Sequence, residues 1–262
     1  MNTQRFDPSK FAVSSAKPLP VLLMLDVSGS MNEVVGGSFK QTGRTVVEDG
    51  RTWNVVEGGT TRIEVLNQAV QDMISSFAGE EKLGNEFLVS VITFGQDVKV
   101  HMNPAKASSV EWHSLTASGQ TPLGEAIRLA KRLIEDKETT PSRAYRPVVV
   151  LASDGKPTDE WRGAMQEFVE TGRSTKCDRI AIAIGDKADE KMLREFIAGA
   201  PNPLFHAHDA QQIKDVFEKV TMSVTVRNRS QDPNKVIGMK ADGATPTAGE
   251  QSTSEDGDDG FW

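Results

Sequence analysis

The chain has 262 residues, enough to bury a full core in one large domain or in one domain with extensions. With 37 acidic against 30 basic residues the net charge is −7, which gives a nucleic-acid role no electrostatic support. A single cysteine, Cys177, excludes an internal disulfide framework and a cysteine-rich zinc site.

The first 20 residues lack the continuous apolar core of a signal peptide, and no apolar run is long enough to span a bilayer. A cytoplasmic protein with neither membrane nor nucleic acid as partner is expected. Residues 1–18 read as an N-terminal extension and 19–226 as the folded domain. The run VLLMLDVSGSM (21–31) dominates its start. An apolar stretch of that length, bounded by turn residues, predicts a strand buried on both faces. Residues 32–60 are too many for an ordinary strand-to-helix loop. Within them RTVVEDGRTWNVVE (44–57) has β-rich arms around Asp49-Gly50, which predicts an inserted hairpin flanked by Gly36-Gly37 and Gly58-Gly59.

Ile63, Leu66, Val70, Ile74 and Phe77 then share one helical face. Strands are predicted at 87–94 and, across Gly95-Gln96-Asp97, at 98–102, where hairpin spacing implies an antiparallel edge. Leu123, Ile127, Ala130 and Ile134 mark a second amphipathic helix, and Ile213, Val216, Phe217, Val220 and Val224 a last one. Buried strands are predicted at 146–153, 179–185 and 203–207. This alternation predicts a doubly wound α/β domain with about six mostly parallel strands and helices on both faces. From 227 to 262 large apolar residues are scarce, which predicts a disordered acidic tail ending in EDGDDGFW.

Asp26, Ser28 and Ser30 sit just past the first strand, where short oxygen-bearing side chains can converge. Oxygen ligands without nitrogen or sulfur suit a hard divalent cation, Mg2+ first, with Mn2+ or Ca2+ as alternatives. Helix capping alone would also favour these residue types. Two further loops bear on the choice. Asp154 ends the strand 146–153 as Asp26 ends the first, and open parallel sheets bind ligands outside strand carboxyl ends at the point where strand order reverses. Thr121 precedes Pro122, a residue favoured at the first helical position, so Thr121 reads as an N-cap whose loop can reach the same crevice. Two acids and three hydroxyls would supply one octahedral cation, and an open coordination position would attract an external carboxylate.

The set Asp26-x-Ser28-x-Ser30, Thr121 and Asp154 resembles the metal-ion-dependent adhesion site (MIDAS) of von Willebrand factor A domains, over about residues 19–226. More narrowly, DVSGSM, GQTPLGEAI and YRPVVVLASDGKPTDEW look like bacterial stand-alone A-domain proteins of the tellurium-resistance-associated type. The resemblance implies that Ser28, Ser30 and Thr121 coordinate the metal through hydroxyls, while Asp26 and Asp154 act largely through waters and hydrogen bonds. A partner's Glu or Asp would complete the sphere. Members of the subgroup lie near genes for a Ser/Thr kinase and a metal-dependent (PP2C-type) phosphatase, in stress and phage-defence settings, which implies an adaptor with such partners and no catalysis of its own. The 32–60 insert departs from the compact members of the subgroup.

Trp53 in the hairpin, Trp161, and Asp258, Asp259, Phe261 and Trp262 of the tail are the candidate partner contacts. A haloacid-dehalogenase-like phosphohydrolase would also place an aspartate at Asp26, but it needs an acid two residues on, where this chain has Ser28. A metal-independent assembly subunit is the other alternative. His206 and His208 alternate beside Asp209, yet two histidines without a third ligand seldom hold zinc, and Asp209 reads as a helix cap. Asp159 likewise reads as a cap, and Cys177 as filling a helix-to-strand corner.

Overall fold

The computed structural model describes residues 17–48 and 50–240. In chain order its elements are β1 (Leu19–Asp26), β2 (Val34–Glu48), β3 (Arg51–Thr61), α1 (Arg62–Glu81), β4 (Phe87–Phe94), β5 (Val98–Lys106), α2 (Leu123–Glu135), β6 (Val148–Ser153), α3 (Arg162–Glu170), β7 (Asp178–Ile184), α4 (Glu190–Phe196), β8 (Leu204–Ala207) and α5 (Ala210–Arg229).

Six strands form one sheet in the order β5-β4-β1-β6-β7-β8, parallel except for β5, which pairs antiparallel with β4. The interior strands β1, β6 and β7 are buried at every position and mostly apolar because both faces are covered. Helices α1 and α5 pack on one face, where Phe77 stacks on Phe87 with centroids 4.3 Å apart. Helices α2, α3 and α4 pack on the other. From β1 the chain moves outward to β4 and β5, then returns to β6 on the opposite side of β1. Strand order therefore reverses between β1 and β6, at the ends carrying Asp26 and Asp154. This is the doubly wound arrangement that the sequence predicts.

Three features differ from expectation. The hairpin arms are longer than 44–57, and the flanking glycine pairs lie inside β2 and β3, where the register shifts. Helices α3 and α4 carry no marked period in the sequence because each is short; α3 buries only Ala164, Met165 and Phe168. The boundary expected at 226 falls inside α5, so the tail does not begin there. Residues up to 240 pack back onto the domain: Asn234 Oδ1 accepts from Arg146 N at 2.9 Å, and Met239 N donates to Asn202 Oδ1 at 3.3 Å. Residues 1–16 and 241–262, including Asp258, Asp259, Phe261 and Trp262, lie outside the described residues. No described helix is long and apolar enough to cross a membrane.

Candidate metal centre

Asp26 closes β1 and is fully buried, with both carboxylate oxygens engaged. Its Oδ1 accepts from Ser28 N at 2.9 Å and its Oδ2 from Ser153 Oγ at 2.6 Å. The chain then makes a single 3-10 turn at Gly29–Asn32, which brings Ser28 Oγ and Ser30 Oγ to 3.0 Å from each other. Ser30 Oγ donates to Asp154 Oδ1 at 2.6 Å. Two strand ends and one turn thus form a continuous hydrogen-bonded chain across the switch point. Neighbouring loops pin the turn: Ser118 N donates to Val27 O at 2.8 Å and Gly29 N to Gly119 O at 2.9 Å. Gly119 has φ +77°, and a Cβ there would lie 2.4 Å from the Gln96 backbone, so this close approach requires glycine.

Thr121 reaches the cluster by a route other than the expected cap. Pro122 takes the N-cap position of α2 without a side-chain bond. The first-turn amides Gly124 N and Glu125 N donate instead to Asp159 Oδ1 and Oδ2, both at 2.9 Å, so the cap comes from a different loop. Thr121 is tied to that loop through its backbone, donating to Thr158 Oγ1 at 3.2 Å and accepting from Thr158 N at 2.9 Å. Its hydroxyl faces Gly155: a Cβ on Gly155 would stand 3.3 Å from Thr121 Oγ1 and 3.8 Å from Ser30 Oγ. Gly155 leaves a cradle between the hydroxyls that any side chain would occupy.

Burial, and next the charge of Asp154, push the Asp26 carboxyl up to about 7 despite the hydrogen bonds from Ser153 and Ser28. The Asp154 carboxyl is also raised, by burial first, against the pull of Ser30 and Arg62. Two buried acids short of positive charge are what a cation would relieve. Among the described residues no group of three or more His, Cys, Asp and Glu could hold a metal ion, so a coordination sphere here must draw on hydroxyls and water. That donor set fits a small hard cation. Gly155→Val should fill the cradle and weaken Mg2+ binding by at least about tenfold with an unchanged circular dichroism spectrum. Calorimetric titration of the variant at wild-type affinity would contradict this placement.

The sequence reading misses three neighbours of the cluster. Ser153 holds Asp26; Arg62 Nη1 lies 3.0 Å from Asp154 Oδ2; and Glu33 Oε2 lies 2.9 Å from the same Arg62 nitrogen. The only sequence signal for Arg62 is a cation opening a helix, where the dipole disfavours it. Trp161 is corrected as a partner contact: it is 7% exposed and packs in the core, with the Arg162 guanidinium 4.9 Å from its ring. The Trp53 backbone pairs with Val46 in the hairpin, and its side chain lies outside the described residues. His208 Nδ1 lies 2.6 Å from Asp186 Oδ1, whereas His206 faces Glu190 at 3.7 Å, so different acids engage the two histidines. Asp209 caps α5 through Gln212 N at 2.9 Å. Burial pushes the Cys177 thiol up to about 12, which makes it inert.

The sequence profile of the von Willebrand factor type A domain matches residues 21–219. No curated protein matches the chain. Among solved structures the chain is similar to a von Willebrand factor type A protein from Catenulispora acidiphila, at 18% identity and TM-score 0.54, over 79% of this chain and 42% of that one. It is similar to the ArnB paralog VWA2 from Sulfolobus acidocaldarius at 16% identity and TM-score 0.52, over 80% and 46%. Proximal thread matrix protein 1 from the mussel byssus, with a zinc-occupied MIDAS motif, is 15% identical with TM-score 0.54, over 82% and 47%. The chain spans less than half the length of each of these three proteins. At such identities the likeness speaks for the fold alone.

Proposed function

The chain belongs to the von Willebrand factor type A domain family, and from that premise and the geometry at the switch point we propose that it is a metal-dependent protein-binding module. The observation that carries this reading is the oxygen cluster in which Ser28, Ser30, Asp26 and Asp154 meet across β1 and β6. Ser28, Ser30 and Thr121 would hold a divalent cation through their hydroxyls. Asp26 and Asp154 would orient them and the surrounding water. The cation supplies an open position for a partner's Glu or Asp, and the β2–β3 hairpin beside the site would select the partner.

All-oxygen donors favour Mg2+, then Mn2+ or Ca2+, over the zinc of the mussel protein. Catalysis at Asp26 is disfavoured because both its oxygens already accept hydrogen bonds and position 28 holds a serine. The likeness to tellurium-resistance-associated proteins extends the proposal to a cytoplasmic adaptor in bacterial stress response or phage defence, with a kinase and a phosphatase as partners. Affinity purification should recover partners in Mg2+, lose them in EDTA, and regain them when Mg2+ is restored. A partner set indifferent to chelator would overturn the reading in favour of a metal-independent assembly subunit.

A further inference from the structure

Arg62 is buried against the oxygen cluster, with its side chain 5% exposed. One guanidinium nitrogen, Nη1, lies 3.0 Å from Asp154 Oδ2 and 2.9 Å from Glu33 Oε2. Its Nη2 rests on Gly185 so closely that a Cβ there would stand 2.3 Å away, so the backbone has been kept clear for it. Thr61 and Glu64 form a capping box around the first turn of α1, which fixes where Arg62 begins. The position is unfavourable for a cation, since a helix N-terminus carries partial positive charge. Among the described residues its ion pairs are with two acids, Glu33 and Asp154. The same residues close the base of the hairpin: Arg62 N donates to Glu33 O at 3.0 Å, and Val34 pairs with Thr61.

Two carboxylates, Asp26 and Asp154, would balance a divalent ion, and Arg62 adds a further positive charge in contact with one of them. Glu33 offsets that charge only in part, because it is more than a third exposed and also pairs with Lys187 at 3.3 Å. We propose that Arg62 is a positioning residue and counter-cation of the metal site, which holds Asp154 through Oδ2 and lowers the affinity for the divalent ion. The inference rests on the metal-binding reading above. With the ion bound, the charge of Arg62 leaves the site more positive toward an incoming carboxylate than the ion and its two acids alone would. The hairpin is tied into this balance through Glu33.

The test is calorimetric titration of Mg2+ and Mn2+ into wild type, Arg62→Gln, Arg62→Lys and Glu33→Gln, with folding followed by circular dichroism. Arg62→Gln should bind both ions at least about tenfold tighter, since repulsion between like charges at such separations is strong in a partly buried site. Arg62→Lys keeps the charge and should stay within about threefold of wild type, whereas Glu33→Gln removes a nearby negative charge and should bind several-fold more weakly. A merely structural arginine predicts the reverse for Arg62→Gln, with affinity unchanged or reduced along with stability. Should Arg62→Gln not fold, tighter or equal binding by Glu33→Gln overturns the proposal on its own. A wild type that binds neither ion overturns the metal reading and this inference with it. A wild type that binds while Arg62→Gln binds no tighter overturns this inference alone.

Discussion

In EDTA at neutral pH, Asp26→Asn is expected to melt at a higher temperature than wild type while losing metal binding by about 100-fold or more. The two effects have one origin. The folded Asp26 carboxyl holds its proton up to about 7, against 3.8 for a free aspartate, because burial and the neighbouring Asp154 both disfavour its charge. A folded pKa raised in this way makes the metal-free fold most stable below the unfolded value, and that stability is lost as pH climbs toward about 7. At about 1.4 kcal/mol per pKa unit, ionising Asp26 in the metal-free fold costs on the order of 4 kcal/mol. Asparagine cannot ionise, yet its Oδ1 can still accept from Ser28 N and its amide can donate to Ser153 Oγ. Added Mg2+ should therefore raise the melting temperature of wild type and leave the variant unmoved. Thermal denaturation across pH, with and without Mg2+, checks both halves. A variant that melts below wild type in EDTA would show that the charge at Asp26 is already compensated by the protein.

Most of the site is legible in the sequence, for a physical reason that also marks where legibility ends. Asp26, Ser28 and Ser30 follow a buried strand within one turn, so local pattern alone brings them together. Asp154 is recoverable because strand ends at a topological switch point converge in any sheet of this type. Ser153 and Arg62 are not recoverable in that way: their contacts to Asp26 and Asp154 span 127 and 92 residues and depend on which strand face and which helix end meet. Thr121 shows a subtler failure. Its place in the crevice follows from the loop, but the cap its position before Pro122 predicts comes from Asp159, a residue equally well disposed to cap its own helix. The fold itself is read correctly from alternating apolar runs and helical periods. The short α3 and α4 escape because too few apolar positions remain to express a period.

Arg227 is where composition misleads most, and its replacement should cost more stability than any other change at the far end of the sheet. In sequence it opens a polar stretch that reads as disordered tail. In the fold its side chain is 7% exposed, and Nη1 pairs with Asp178 Oδ2 at 3.0 Å. Its Nε donates to Pro233 O at 2.7 Å and its Nη2 to Arg146 O, which clamps the segment after α5 against the start of β6. Asn202 Nδ2 completes the environment of Asp178, donating to Oδ1 at 2.6 Å. Burial already raises the Asp178 carboxyl, with Arg227 as the first influence holding it down. Arg227→Met leaves a buried carboxylate and two carbonyls without their donor, a loss of about 3–5 kcal/mol by the usual cost of breaking a buried pair. The loss should shrink at mildly acidic pH, because Asp178 freed of its partner takes up a proton more readily in the fold than in the unfolded chain. Combining Arg227→Met with Asp178→Leu should recover much of the stability, since no unpaired charge then remains. Metal affinity should not change in any of these variants, because Asp178 opens β7 whereas Asp26 closes β1. Urea unfolding read beside Mg2+ titration separates the two ends of the sheet. A fall in affinity matching the fall in stability would mean that the clamp and the metal centre are coupled through the strands between them.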